Sequence, residues 1–468
     1  MKSLKNSRRR RVWVLIGTLL TGILFIWLIA QGLRGIERRS ATIEDYRTVV
    51  SGLLGQDGSS RTLILFSNNA EMRYGGGFIG SVGYIDADKG RAPKIDPIHS
   101  VYYYDHRIEV DDKRLDAATP ELTGLMPKLY LRDSGVDLDW RSNAKRAARL
   151  FSLESGKSVD NVVMITPNVV KEVLRITGPV RLDEYGFDVT ADNFLTKVQL
   201  EVEAGEDKQQ GKDPKTILGV LANKLIMRLL DSSRTEQLDE YSRMLAELFE
   251  QKQIALYSSR PGIQQRLESR GLDGGLKPAE GNYLMVAEAN VGANKSSPFI
   301  EQDIAQKLVV ADDGSALVEL KIKRKHTGAY MHQYVDPHDG KTKWLVGDNI
   351  SYIKVAIPSG SSDIATNVAL SRATYDESGR TVVTFASSLS PGSSAEYAIS
   401  YRLPFKYNMG KEVVVRSLVE KPIGSFGQYV RQSVVLPKRY RLLRGNLPDG
   451  SLLERDSESL VTYTDTPK

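Results

Sequence analysis

Cysteine is absent from all 468 residues, which removes a disulfide framework, a thiolate metal site and a cysteine nucleophile together. The chain also has no G-x-S-x-G elbow and no H-E-x-x-H pair, so serine-hydrolase and zinc-protease readings lack their usual sequence support. No internal repeat is present. An excess of one charge is missing from nearly the whole chain. Lys2, Lys5, Arg8, Arg9, Arg10 and Arg11 form a basic tail, and without those six the chain carries 58 basic against 58 acidic residues. The formal charge of +6 therefore belongs to the tail, and no nucleic-acid partner is expected. Long apolar runs are lacking too, with one exception, so a multi-span membrane protein does not fit. A composition of 41% apolar and 26% charged residues is that of a folded chain of two or three domains.

The exception is residues 12–33, which are 22 residues without a charge. At about 1.5 Å per residue such a helix spans about 33 Å, enough for a hydrocarbon core of roughly 30 Å. The preceding arginines should stay in the cytoplasm and place everything after Arg34 outside. The expected localisation is thus the cell membrane, single-pass, with the bulk of the chain extracytoplasmic. A cleaved signal peptide is the alternative, since Ala30-Gln31-Gly32 loosely fits a cleavage site. The pairs Gly17/Thr21 and Thr18/Gly22 have the spacing that packs two membrane helices, which admits a homodimer.

Beyond the membrane run, residues 34–60 read as a helical stalk, with helical spacing over 43–54 and a turn-forming stop at 55–60. Short apolar runs at 62–66, 78–85 and 161–165 read as strands, 94–104 as another strand, and 142–153 and 167–176 as helices. Helical spacing returns at 190–202, 214–230 and 235–251, followed by short strands near 254–256 and 283–286. This mixture predicts an α/β or α+β domain over 61–305. From Lys307 the pattern becomes strands separated by turns, at 317–322, 350–357, 381–385, 396–401, 413–419 and 429–436. Residues 306–468 are therefore expected to form an all-β, sandwich-like domain, with 441–468 as a loosely packed edge.

The segment richest in potential chemistry is Asn68-Asn69-Ala70-Glu71-Met72-Arg73-Tyr74-Gly75-Gly76-Gly77-Phe78-Ile79-Gly80, directly after an expected buried strand. Three consecutive glycines allow close backbone approach, their N–H groups can surround an anion, and Arg73 adds a fork-shaped donor for phosphate or carboxylate. The other reading is a glycine-rich bend in which Arg73 caps carbonyl groups. No P-loop lysine or Ser/Thr follows.

This string resembles the "NNAELRPTGGFIG" signature of the bacterial membrane-anchored family known as domain of unknown function 4012. Leu131-Arg132-Asp133 with Trp140, Ile165-Thr166-Pro167, Thr177-Gly178-Pro179-Val180 and Asn290-Val291-Gly292-Ala293-Asn294-Lys295-Ser296 resemble later blocks of the same family, in order. The resemblance covers about residues 60–305 and promises no activity. A more distant similarity is to LytR-CpsA-Psr proteins, which transfer lipid-pyrophosphate-linked glycopolymers to the cell wall. That resemblance implies a lipid-phosphate glycan as partner and a divalent cation such as Mg²⁺ as cofactor. This chain departs from it, with Asn68 and Asn69 where that family has an Asp and arginines. Of its catalytic block only Asp105 and Arg107 carry over.

Ligand-binding candidates are therefore Asn69, Arg73, Gly75, Gly76, Gly77, Arg132, Asp133, Asn294 and Lys295, and catalytic candidates are Asp105 and Arg107. Tyr102, Tyr103 and Tyr104 beside them suit carbohydrate stacking or, alternatively, a strand with its tyrosines in the core. Asp133, Asp137 and Asp139 offer carboxylates to a hard cation or form a solvated acidic loop. His326, His332 and His338 do not have the pairing expected of a zinc site, and no metal residue is assigned. Two functions follow. One is an extracytoplasmic cell-envelope protein that binds or transfers an anionic lipid-linked glycan. The other is a non-catalytic surface module whose β domain recognises a protein or wall polymer. Convergence of Arg73, Arg107, Arg132 and Lys295 on one cleft would favour the first.

Overall fold

A computed structural model describes Gly52 and residues 58–89, 93–124, 126–205, 207, 215–231, 235–336 and 340–465. The basic tail, the apolar run at 12–33 and nearly all of the stalk lie outside these residues. Among the described residues no helix is long and apolar enough to cross a membrane.

The first domain is built on a mixed sheet of β1 (Ser60–Asn68), β2 (Phe78–Ala87), β3 (Lys94–Ile95), β4 (His99–Ser100), β5 (Asn161–Ile165) and β8 (Ile254–Ser258), in the order β3-β2-β1-β5-β8 with β4 also on β2. The small strands β6 (Val180–Leu182) and β7 (Phe187–Val189) form a separate hairpin. β1 runs parallel to β5, pairing Thr62 with Asn161 through Phe66 with Ile165, and antiparallel to β2. Side chains alternate across a strand, so Leu63 and Leu65 face one layer of helices while Ile64 faces the other. On the first face lie α1 (Tyr102–Asp105) and α2 (Trp140–Ser155), which buries Trp140, Ala144, Ala147, Leu150 and Phe151. Asp139 caps α2 by accepting the Arg141 N–H, and Gly156 ends it in the left-handed region. On the other face lie α3 (Pro167–Thr177), a short π-helix at Phe194–Val198 running into α4 (Gln199–Ala204), then α5 (Thr216–Asp231), α6 (Thr235–Glu250) and α7 (Pro261–Ser269).

The expected strand over 94–104 is corrected to two two-residue strands and the helical turn α1. Pro97 has no N–H for a ladder, and the turn at 102–105 buries Tyr104 while leaving Tyr102 and Tyr103 exposed. The helix expected over 190–202 starts only at Phe194.

The second domain is a sandwich of two sheets. Its strands are β9 (Asn282–Asn290), β10 (Ile300–Val310), β11 (Ala316–His326), β14 (Asn349–Pro358), β15 (Ser362–Thr366), β16 (Tyr375–Glu377), β17 (Arg380–Leu389), β18 (Ser394–Arg402), β19 (Glu412–Val419), β20 (Gln428–Val435), β21 (Tyr440–Arg444), β22 (Asp449–Leu453) and β23 (Ser457–Asp465). One sheet runs β15-β18-β11-β10-β20-β22 and the other β16-β17-β14-β9-β19-β23-β21. Strict alternation of buried and exposed residues along β11 shows one face on the shared core and one in water. β12 (Met331–Val335) and β13 (Thr342–Val346) form a separate hairpin outside both sheets.

Two expectations differ from this arrangement. β9 precedes the boundary placed at 305, yet it pairs with β14 and β19 in the sandwich. It is buried on both faces, with Leu284 and Val286 in the sandwich core and Tyr283, Met285, Ala287 and Ala289 against Tyr74, Leu138 and Leu276 of the first domain. The segment 441–468 is an edge only in part: β21 and β22 end the two sheets with mostly exposed residues, whereas β23 pairs with β19 from Glu412–Thr464 to Val419–Ser457 and buries Val461.

Candidate functional site

The bend after β1 delivers Glu71 and Arg73 to the carboxyl end of the strand, near the seam between the domains. Arg73 is buried and its fork is used by the protein. Nη1 donates to the Met72 carbonyl at 2.9 Å and to the Asn290 carbonyl, and Nη2 donates to Glu71 Oε1 at 2.9 Å. Glu71 Oε2 accepts from Lys295 Nζ at 2.7 Å, and Lys295 also pairs with Glu203 Oε1 at 3.3 Å. Burial alone would raise the Glu71 carboxyl, but Lys295 and then Arg73 outweigh it and hold it below the ordinary range. Burial would lower the Lys295 ammonium, and Glu71 and Glu203 reverse that shift.

The three glycines serve close packing inside the protein. A Cβ on Gly75 would stand 2.7 Å from the Gly135 backbone, one on Gly76 would stand 2.5 Å from Met164 Sδ, and one on Gly77 would stand 2.6 Å from the Asn68 carbonyl. Gly76 and Gly77 also have φ of +110° and +126°. Asn69 is fully buried and donates to the Gly424 carbonyl at 2.9 Å, joining this bend to the second domain.

Arg132 stands on a 3-10 turn, Leu131–Asp133, between α1 and α2. Its Nη1 donates to Asp105 Oδ2 at 2.6 Å, its Nε lies 3.4 Å from Asp133 Oδ2, and its guanidinium sits over the Tyr130 ring at 4.6 Å. Behind it, Glu154 accepts the Leu131 N–H at 3.0 Å and interacts with Asp105. Burial pushes the Asp133 carboxyl up to about 6, against the opposing pull of Arg132 and Arg73. Burial raises Asp105 and Glu154 as well, and Asp105 raises Glu154 further.

Several of these groups line a cavity of about 880 Å³. Its polar lining includes Glu71, Arg73, Tyr102, His106, Arg132, Asp133, Glu203, Lys215 and Lys295, with Tyr334, Asp336 and Lys343 at the β12–β13 hairpin. Its apolar lining comes from Ile165 at the end of β5, Val169, Val170 and Val173 of α3, Phe194, Val198 and Val202 around α4, and Leu218, Leu221, Ala222 and Leu225 of α5. Among them Val169 and Val173 of α3, Phe194 and Val198 of the π-helix, and Leu221 and Leu225 of α5 belong to one buried apolar cluster, so the cavity borders the core of the first domain. Close-packed interiors hold few voids larger than a water molecule, whereas clefts of about 300–1,000 Å³ are the size of ligand pockets.

Of the residues singled out in the sequence, Arg73, Arg132, Asp133 and Lys295 line this cavity, while Asn69, Gly75, Gly76, Gly77 and Asn294 do not. Asn294 faces the second domain, donating to the Asp348 carbonyl at 2.8 Å. Asp105 is buried behind Arg132, and Arg107 is exposed over the Tyr103 ring at 4.3 Å, away from the cavity. Three of the four cations expected around one cleft therefore converge. The carboxylates considered for a hard cation do not fit one. Asp137 pairs with Arg146 at 2.7 Å, Asp139 caps α2, and among the described residues no group of three or more His, Asp or Glu could hold a metal ion. His326 is buried with Nε2 3.0 Å from the Gly347 carbonyl, His332 is exposed, and His338 lies outside the described residues. Glu71 stood in the quoted signature, and its spacing two residues from Arg73 was the signal for it. Glu203, Lys215, Tyr334, Asp336 and Lys343 had no local signal.

Residues 57–202 match the family model described as Protein of unknown function (DUF4012). The DUF4012 stretch covers the bend at 68–80, the turn carrying Arg132 and the helices α3 and most of α4, and it ends before α5 and the second domain. No curated protein matches the chain. Among solved structures, a protein from Legionella pneumophila described as nutrient-binding is 11% identical over 40% of this chain and 72% of its own, with a TM-score of 0.25. An M1 zinc metallopeptidase from Deinococcus radiodurans is 12% identical over 36% of this chain and 39% of its own, with a TM-score of 0.16. Likeness at that level transfers neither fold nor function.

Proposed function

We propose that the chain is a membrane-anchored, extracytoplasmic cell-envelope protein whose DUF4012-containing domain binds an amphiphile with an anionic head, the class to which lipid-linked phosphate glycans belong. The observation that carries this reading is that one cavity is lined both by apolar side chains of α3, α4 and α5 and by the charged groups Glu71, Arg132 and Lys295. An apolar tail gains from the walls of α3, α4 and α5 by leaving water, at about 25 cal/mol per Å² buried. An anionic head gains from Arg132 and Lys295, whose charges are strengthened by the poorly hydrated surroundings. The anchor expected from residues 12–33 would keep such a site beside the bilayer that supplies the ligand.

The reading is tested by identifying what the full-length protein carries when purified from its membrane. Mass spectrometry of extracted lipids should find an acidic amphiphile in the unaltered chain that falls at least tenfold in Ala222→Trp, whose indole would fill the apolar part of the cavity. Leu225→Ala, which enlarges the cavity, should retain it and so controls for a general packing defect. Identical lipid profiles in the unaltered chain and a folded Ala222→Trp chain would overturn the reading.

A further inference from the structure

The charged lining is nearly balanced, because four of its cations already have carboxylate partners, while Lys215 donates to the Gly80 carbonyl. Arg73 has Glu71 at 2.9 Å, Arg132 has Asp105 at 2.6 Å, Lys343 has Asp336 at 2.7 Å, and Lys295 has both Glu71 at 2.7 Å and Glu203 at 3.3 Å. An anion entering here meets resident negative charge, so it must exchange with a carboxylate or bring a proton with it. The carboxylates are not equally replaceable. The Glu71 side chain is 8% exposed and bridges two cations, Asp133 is 3% exposed, and Asp336 is 12% exposed and held at 2.7 Å. Glu203 is 24% exposed, makes the longer of the two contacts to Lys295, and stands near the end of the six-residue helix α4.

We propose that Glu203 is an internal competitor for the anion site, occupying Lys295 until an anionic head group displaces it. This deepens the amphiphile reading and rests on it. Lys295 keeps its Glu71 partner throughout, so the exchange leaves no buried charge bare. The same displacement loosens α4, whose Gln199 and Val202 also line the cavity, together with the hairpin residue Tyr334 beside it. Arrival of the head group and widening of the route to the apolar lining are then one event. The other charged groups facing this point are Arg73 and Glu71 from the β1–β2 bend, Asp336 and Lys343 from the hairpin, and Lys215 at the start of α5. All stay in place during the exchange.

The test is a gain of affinity on removing an acid. Full-length protein in lipid nanodiscs is titrated calorimetrically with octyl phosphate and with octanol, using protein-free discs of the same lipid as the blank for partition into lipid. Glu203→Gln should bind octyl phosphate about tenfold more tightly than the unaltered chain, with octanol binding the same in both. Equal or weaker octyl phosphate binding by Glu203→Gln, where the unaltered chain binds, would overturn the competitor role and leave the amphiphile reading standing. Binding of octanol but never of octyl phosphate would overturn the anion site as well. No binding of either probe to either chain would overturn both proposals.

Discussion

At the scale of single residues, Arg73 shows how a recognisable side chain acquires a different task from the one its neighbours suggest. Glycines beside an arginine after a buried strand outline an anion cradle. In the fold, both terminal nitrogens of Arg73 are bound to Glu71 and to the carbonyls of Met72 and Asn290, which ties the first domain to β9. Arg73→Ala would strand a buried carboxylate with Lys295 as its remaining partner. Breaking a buried pair in this way costs about 3–5 kcal/mol. Chemical unfolding of the variant should show that loss, and Arg73→Lys should recover only part of it because an ammonium cannot reproduce the fork. An unchanged unfolding midpoint in Arg73→Ala would return the residue to the role of a ligand-binding cation.

At the scale of elements, α1, the turn Leu131–Asp133 and α2 converge so that three carboxyl groups surround one arginine. Burial raises the Asp133 carboxyl to about 6 from its ordinary 3.8. Between about pH 4 and 6 the folded state therefore holds more protons than the unfolded state. The stabilisation is fully present below about pH 4 and is lost as the pH rises through 6, with an upper size of about 3 kcal/mol. Asp105 is shifted in the same direction, and Glu154, raised to about 8, extends the loss toward higher pH. Urea midpoints of the unaltered chain should fall from pH 4.5 to 6.5, and Asp133→Asn should flatten that fall. The same slope in both chains would show that Asp133 is not the titrating group.

At the scale of the molecule, the two domains share a seam in which β9 belongs to the sandwich but is buried against the first domain. A second tie is ionic. Lys252, just before β8, pairs with Glu420 at 2.8 Å and Asp456 at 3.1 Å, and Glu420 also accepts from Tyr283 at 2.8 Å. All three members of the Lys252 group are buried or nearly so. Lys252→Met keeps most of the side-chain volume but takes the Lys252 ammonium from buried Glu420 and leaves Asp456 with Lys277 at 3.1 Å, so a loss of about 3–5 kcal/mol is expected. Because the seam is continuous, calorimetry should show one unfolding transition in both chains, lower in the variant. Two resolved transitions in the unaltered chain would mean that the seam does not couple the domains.

Local patterns determined the elements wherever a period of two or 3.6 residues was enforced by one core. The helix opened by Pro167 and the sandwich strands β11, β14, β17, β18, β19 and β20 were legible for that reason, and the strand at Asn161–Ile165 as a short apolar run, whereas β15 and β16 carried no such pattern. The basic tail and the apolar run were likewise legible from composition alone. The signature at 68–80 marked the right region, since Glu71 and Arg73 line the cavity, but the sequence could not say what the glycines approach. Their partners are Gly135, Met164 and the Asn68 backbone, and Gly76 also meets Gly424 from the other domain, which no local rule connects. Membership of β9 in the sandwich, the turn at 102–105 and the pairing of β23 with β19 were decided by contacts between distant segments. So was the cavity, because it lies between helices that each present an ordinary apolar stripe. Such a stripe looks the same whether its helix packs on a neighbour or stands back from one, and only the positions of α3, α4 and α5 around the end of the sheet decide which.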